Sequence, residues 1–471
     1  MVFSSIPFLF FFLPASLILY YAAPFKLKNY ILLAFSLAFY AWGEPVYIIL
    51  MLFASAVDYT NGRFMEKYGT DDRRRRIFLC LSVVINLSML GFFKYADFLI
   101  GIVNGITGLS IEPLGLGLPV GISFFTFQTM SYSIDLYRRE VKVEKNYLTY
   151  LTYVSMFPQL IAGPIVRFST VNEELHERTI NWEGFVYGTL RFMQGLFKKV
   201  LIANNTGALW EAIKGMDPGA ASVSTAWLGA LCFTLQLYFD FSAYSDMAIG
   251  MGRMLGFHYL ENFRYPLSAV SVTDFWHRWH ISLSTWFRDY VYIPLGGNRV
   301  SVAKHLRNIF IVWFLTGLWH GAAWNFIFWG LYYGILLALE KYVWGEKLSR
   351  LPAAVRHAYA ILIVVFGFVI FVFDDMGQLG AYMASMFGMA GNSLFGEEFL
   401  WYVTNNGFLL AAAILFAFPF YPYIKGKIET MGAAAQTGLS LCAAAGYIGL
   451  FFLTTAYLVN DTYNPFLYFR F

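Results

Sequence analysis

Long apolar runs set the plan of this chain, and their lengths carry more information than any local periodicity. They fall near residues 6–23, 29–42, 46–60, 77–95, 118–134, 223–250, 308–345, 358–374, 406–421 and 437–459. A helix crossing a bilayer needs about 20 residues. The 308–345 run therefore holds two spans, with its break at 321–324, where Gly321, Ala322 and Ala323 precede Trp324. The pattern predicts an all-α polytopic membrane protein of about eleven spans, built as one membrane domain over residues 1–471. The first basic residue, Lys26, follows the first apolar run instead of preceding it. That is the wrong polarity for a cleaved leader, so a retained first span with its N-terminus outside is expected.

Two stretches depart from the pattern of spans and loops. Residues 147–168 are apolar but interrupted by Pro158, Gly163 and Pro164, and closed by Arg167. Proline and glycine free backbone groups that lipid cannot satisfy, so this piece must be buried in protein or line water, as a re-entrant segment does. Residues 183–204 are amphipathic and run into Lys198 and Lys199, which suits a helix lying at the interface.

Composition agrees with a lipid solvent. Hydrophobic residues make up 58% of the chain and charged residues 13%, against about a quarter charged in a soluble protein. The net charge of +4 says little, but its distribution says more. Basic residues gather at 26–28, 73–76, 138–145, 253–307 and 423–427, and such clusters mark the cytoplasmic side. The four arginines Arg73 to Arg76 read as a juxtamembrane stop and not as a nucleic-acid contact. On this reading Arg138, Arg139 and the 253–307 segment are cytoplasmic, and Met1 and Phe471 lie outside. The three cysteines, Cys80, Cys232 and Cys442, are far apart and read as buried small hydrophobes without disulfide or zinc spacing.

The chemistry-bearing residues are few. His320 lies in an apolar run beside Gly317, Gly321, Ala322 and Ala323, with Trp319, Trp324 and Trp329 as large neighbours. An ionisable group there is costly and usually faces a bundle interior or a wet cavity, and small neighbours admit a substrate or a second helix. A structural hydrogen bond to a neighbouring helix, with Asn325 close by, is the competing account. Residues 274–299 form a second stretch, too dense in histidine, tryptophan and charge to face lipid. Read as a helix over 274–288, it puts His277, His280 and Ser284 on one face and sets Asp274 four before Arg278, the favourable order for an ion pair. Asp274, His277 and His280 stand at metal-ligand spacing, yet nothing further completes the set, so no metal is expected. His280 has a structural alternative as part of a tryptophan cluster. In 223–250, Gln236, Asp240 and Tyr244 share a face and point inward, with Asp240 either paired to a cation or orienting a catalytic group. His176, His258, His305 and His357 are expected to be solvated.

At these stretches the sequence resembles the membrane-bound O-acyltransferase (MBOAT) superfamily, in its bacterial alginate O-acetyltransferase-like branch. The segments that carry the resemblance are 119–128, from Pro119 to Gln128; 157–165, from Phe157 to Ile165; 236–246, from Gln236 to Asp246; 274–299; Trp319-His320-Gly321; and the ending from Asn464 to Phe471. The resemblance implies a ring of transmembrane helices, with re-entrant and interfacial helices, around a central tunnel. It implies His320 as the essential catalytic histidine and His280 as the second motif histidine. It also implies a separate partner, a secreted or tethered esterase-like protein whose serine relays acetyl to a surface polysaccharide.

Acyl transfer from a thioester to oxygen needs a hydroxyl, a base for its proton, and donors for the developing oxyanion. Burial favours a neutral His320, which suits a base, and a covalent acyl-histidine is the other route. His280 would orient the thioester or donate to its carbonyl oxygen, with Trp276, Trp279 and Trp319 shaping the tunnel wall. Arg278, Arg288, Arg299 and Lys304 are candidates for the phosphates of coenzyme A, and each is equally explained by positive-inside topology. Asp240, Asp274, Ser284 and Asn325 complete the candidate tunnel or donor-binding set. The expected donor is acetyl-CoA or another acyl thioester, taken as substrate without a resident cofactor, and the expected location is a bacterial plasma membrane. D-alanyl transfer to teichoic acid is the alternative within enzymes. A transporter or channel is the alternative from another class; it is disfavoured by the absence of a visible internal repeat.

Overall fold

The computed structural model of the protein describes residues 2–161, 163–460, 463–465 and 467. Every regular element among the described residues is helical. Four helices are long and apolar enough to cross a membrane: Asp72–Thr107, Trp324–Ser349, Ala353–Val372 and Ala433–Asn460. A fifth span arises if Glu397–Asn405 and Gly407–Ala417, bent by 70°, count as one. This is fewer than the eleven spans that the apolar runs suggest, and three of the runs show a physical reason. The first forms only the short apolar helix Phe8–Ala22. The 118–134 run becomes a helix of 17 residues with buried Ser123, Thr126, Gln128 and Asp135, and the 223–250 run carries Gln236, Asp240 and Asp246. The expected sidedness of Met1 and Phe471 falls outside the described residues, as do Ala162 of the 157–165 segment and most of the 464–471 ending.

The described residues form two compact units. The first comprises residues 1–192 and 245–261. Here α1 (Ile48–Lys67), α2 (Asp72–Thr107) and α3 (Ile122–Arg138) are joined by a buried polar network. Asp58 accepts from Ser133 Oγ at 2.6 Å and from Asn86 Nδ2 at 2.6 Å, and Asn61 Nδ2 donates to Ser82 Oγ at 2.9 Å. Apolar surfaces gain little by packing together in lipid, so such hydrogen bonds help to specify helix neighbours. Gly121, with φ 77°, starts α3, and a Cβ there would lie 2.9 Å from the Leu160 carbonyl oxygen. The 147–168 segment forms Tyr147–Ser155 and Phe157–Leu160, and residues 149–161 are all buried in protein, as its prolines and glycines require.

The second unit comprises residues 193–244 and 262–471. It contains most of α4 (Val223–Met254), then the short α5 (Val272–Arg278) and α6 (Ile281–Phe287), the hairpin α7 (Val302–His320) and α8 (Trp324–Leu339), and α9 (Ala353–Val372). The break between α7 and α8 lies where the glycine and alanines predict it. The two helices meet at glycines: a Cβ on Gly317 would lie 2.4 Å from the Phe326 carbonyl oxygen, and one on Gly330 2.4 Å from that of Trp313. The small residues near His320 therefore admit a second helix.

The structure corrects three expectations about side chains. Lys199 is not an interfacial cation; it is buried in an ion pair with Asp240 at 2.7 Å. His305 is not solvated; it is buried between the hydroxyls of Tyr292, at 2.7 Å, and Tyr342, at 2.5 Å. Of the cysteines only Cys232 is buried, whereas Cys80 and Cys442 lie on the outer faces of two candidate spans.

Candidate active site

His320 is the last residue of α7 and is buried, with 7% of its surface exposed. Its ring is enclosed by Trp319, Trp329 and Phe371, with centroids 5.0, 5.0 and 5.1 Å away. Phe371 is held in place from the start of α8. Fully buried Asn325 donates through Nδ2 to the Phe371 carbonyl oxygen at 2.8 Å and to Asp374 Oδ1 at 3.4 Å. Asn325 thus joins α8 to the end of α9, and the aromatic wall around His320 depends on that joint.

His280 is also buried, with 1% exposed. Its ring lies edge-on to Phe241, with centroids 4.7 Å apart, and 5.9 Å from Trp319. Both histidines therefore meet Trp319, His320 as its sequence neighbour and His280 from 39 residues earlier in the chain. This is the juxtaposition on which the chemical reading stands.

The continuous helix expected over 274–288 does not form. The chain breaks between α5 and α6, and His280 takes left-handed angles of φ 45° and ψ 53°. Consequently His277 is exposed while His280 is buried, and the shared face at helical spacing is lost. The break is enforced from outside the stretch. Glu340 anchors the start of α5, accepting from the Val272 and Thr273 backbone N–H groups at 2.8 and 2.9 Å, and does not act at the break itself. Asn262 accepts from the Ile281 and Ser282 N–H groups at 3.0 and 3.1 Å, capping α6. Helix N-termini leave such donors unsatisfied. Sequence reasoning missed Asn262, Glu340, Phe241 and Phe371, because no spacing rule connects them to the motif histidines.

The remaining candidates divide into wall, scaffold and rim. Trp276 packs against Trp313, Tyr333 and Trp329 at 4.6, 4.8 and 5.6 Å. Trp279 stacks on Phe275 at 5.5 Å and meets Phe368 at 5.1 Å. Both belong to the aromatic core of this unit. Asp274 accepts from Arg278 Nε at 2.7 Å, the ion pair that its position four residues earlier predicts. Half-buried Ser284 gives its backbone N–H to the His280 carbonyl oxygen at 3.1 Å. Arg288 forks onto Asp289 at 2.7 and 3.1 Å, whereas Arg299 and Lys304 are exposed. Asp240 accepts from Lys199, and its second oxygen accepts from the Leu467 N–H at 3.0 Å. Among the described residues no group of three histidine, cysteine, aspartate or glutamate side chains is placed to hold a metal.

Comparison with known proteins completes this picture. The family described as MBOAT, membrane-bound O-acyltransferase family, matches residues 30–374. The chain is 38% identical over 488 aligned residues to a probable alginate O-acetylase AlgI of Pseudomonas putida, covering 100% of both proteins. It is 42% identical over 392 residues to a probable alginate O-acetylase AlgI of Azotobacter vinelandii, covering 82% of this chain and 78% of the relative. It is 37% identical over 375 residues to a peptidoglycan O-acetyltransferase of Helicobacter pylori, covering 72% and 70%. The resemblance noted from the motifs is borne out. With its apolar helices and a family match over 30–374, the chain belongs to the membrane-bound O-acyltransferase family and is a polytopic membrane O-acyltransferase.

Proposed function

We propose that this enzyme moves an acetyl group from a cytoplasmic thioester across a bacterial plasma membrane for O-acetylation of a cell-surface polysaccharide. The donor is acetyl-CoA or another acyl thioester. The whole of 1–471 acts as one membrane domain around a tunnel, and an extracytoplasmic esterase-like partner receives acetyl on a serine and passes it to the polymer. The observation that carries this reading is the pair of buried histidines, His280 and His320, in contact with one tryptophan, Trp319. The names of the bacterial relatives support an acetyl group and a polymer acceptor.

In this mechanism His320 takes the proton of the acceptor hydroxyl as its oxygen attacks the thioester carbonyl carbon. The tetrahedral intermediate collapses, the carbon–sulfur bond breaks, and the proton passes from His320 to the departing thiolate. Trp329 and Phe371 keep bulk water from the ring, which limits hydrolysis of the thioester. His280, whose ring also meets Trp319, orients the reacting group. At the cytoplasmic rim Arg278 and Arg288 are already engaged by Asp274 and Asp289. Exposed Arg299 and Lys304 are better suited to take a phosphate of the donor.

The test is transfer of labelled acetyl from acetyl-CoA in membranes that contain the partner and polymer. His320→Ala should accumulate normally and lose transfer. Polymer acetylation at the wild-type level in that variant would overturn the assignment, and labelled D-alanine transfer in place of acetyl would redirect the substrate.

A further inference from the structure

Left-handed backbone angles cost a non-glycine residue about 1–3 kcal/mol, so the conformation of His280 must be held by its surroundings. Asn262, fully buried, holds it through two oxygens. Its carbonyl oxygen accepts from the Ile281 N–H at 3.0 Å. Its Oδ1 accepts from the Ser282 N–H at 3.1 Å and from Ser282 Oγ at 2.9 Å. The same Oδ1 lies 3.3 Å from His280 Nδ1.

These contacts determine where the hydrogen on the imidazole sits. A backbone N–H only donates, so the amide atom facing Ser282 N is the oxygen of Asn262 and not its nitrogen. An amide oxygen only accepts, so the ring nitrogen beside it, Nδ1, carries the hydrogen. Ser282 Oγ, whose own hydrogen points to Asn262, presents a lone pair to the same Nδ1–H at 3.4 Å. In the neutral ring the lone-pair nitrogen is then Nε2.

We propose that Asn262 is a positioning residue that fixes His280 as its Nδ1–H tautomer, so that His280 meets the substrate through Nε2 as a hydrogen-bond acceptor. The proposal rests on the assignment of His280 to the active site. It alters the role expected from the sequence: a neutral His280 does not donate to the thioester carbonyl oxygen. It holds a donor group instead, either an amide N–H of the thioester's arm or the hydroxyl of the acceptor. The residue that orients a histidine through its other nitrogen governs tautomer and ring direction together.

The test uses the full-length enzyme and labelled acetyl-CoA, with His280→Ala, Asn262→Leu and Asn262→Asp compared across pH. Asn262→Leu should lower kcat about 10–100-fold, the usual loss when such an orienting partner is removed. Asn262→Asp should restore most of that loss, because a carboxylate also accepts from Nδ1–H. It should also move the acid limb of the pH profile upward, because a negative charge there favours the imidazolium. A rise in KM for acetyl-CoA identifies the thioester arm as the group held, and a rise in KM for the acceptor identifies its hydroxyl. Near wild-type kcat in Asn262→Leu, with His280→Ala inactive, overturns the proposal; so does an unmoved pH profile in Asn262→Asp. Wild-type transfer by His280→Ala instead removes His280 from the site, and the proposal falls with that reading. If Asn262→Leu fails to accumulate, nitrogen NMR of histidine-labelled wild type decides. Loss of an Nδ1–H signal in His280→Ala supports the tautomer, and loss of an Nε2–H signal refutes it.

Discussion

Asp240 has two readings, as an orienting group for chemistry and as half of a structural pair, and removing each partner in turn separates them. Lys199 and Asp240 keep only 4% and 3% of their side-chain surface exposed, and their charged atoms lie 2.7 Å apart. Lys199 also donates to the Pro465 carbonyl oxygen, and Asp240 accepts from the Leu467 N–H. Asp240→Ala strands a buried ammonium, at about 3–5 kcal/mol. The orphaned Leu467 N–H adds about 1 kcal/mol, for a total of about 4–6 kcal/mol. Lys199→Met strands the carboxylate and should cost about 3–5 kcal/mol. The double variant Lys199→Met/Asp240→Leu leaves no unpaired charge, so it should cost less than the sum of the singles by at least about 2 kcal/mol. Thermal unfolding in detergent, followed by the fluorescence of the 13 tryptophans, measures all three. Folded fractions of each variant should keep their transfer activity to within a few-fold. A variant Asp240→Ala that melts like the wild type but has lost transfer would refute the structural account and return Asp240 to the chemistry.

Gly330→Val should part α7 from α8, because a Cβ at that position lies 2.4 Å from the Trp313 carbonyl oxygen. A loss of about 1–3 kcal/mol, typical of overpacking, should appear as poor accumulation, and normal thermal stability would contradict the close approach. His277→Ala should keep transfer within about twofold, since surface substitutions usually shift stability by no more than about 0.5 kcal/mol and His277 is exposed; inactivity would bring His277 into the site. Cysteines introduced at 70–73 should be shielded from an impermeant reagent on intact cells, and cysteines at 460–463 should be labelled. Equal protection at both places would contradict the expected sidedness.

What the sequence made legible follows from how local each cause is. The break between α7 and α8 is local: Gly321 and two alanines interrupt an apolar run, and the helix ends there. The Asp274–Arg278 pair is local too, set by helical spacing alone. Gln236, Asp240 and Tyr244 are all buried as expected, but so is every residue of 232–252, so tertiary packing and not helical spacing sets their burial. The break at His280 has no local sign, since no proline or glycine lies within 274–288. Its cause is Asn262, 18 residues before His280, whose backbone and side-chain oxygens take the Ile281 and Ser282 N–H groups at the start of α6. Lys198 and Lys199 look alike in sequence, but only the fold says that one of them meets Asp240.

Both histidines of the site stand at helix ends, and this placement has a physical basis. In the middle of a helix a side chain projects from a backbone whose donors and acceptors are already used. At an end, those groups need partners from elsewhere in the chain. Asn262 supplies them at the start of α6, and its side chain orients His280 with the same oxygen that caps the helix. At the start of α8, Asn325 ties the end of α9 in place and so sets Phe371 against His320. Each asparagine therefore couples a backbone requirement of the fold to the position of a ring at the site. A substitution at either one acts on stability and on geometry together, so the two effects separate only in variants that keep the atom bound to the backbone, Oδ1 of Asn262 or Nδ2 of Asn325, and change the rest. Asn262→Asp is such a variant, because it retains an acceptor for Ser282 N–H and alters only the charge beside His280.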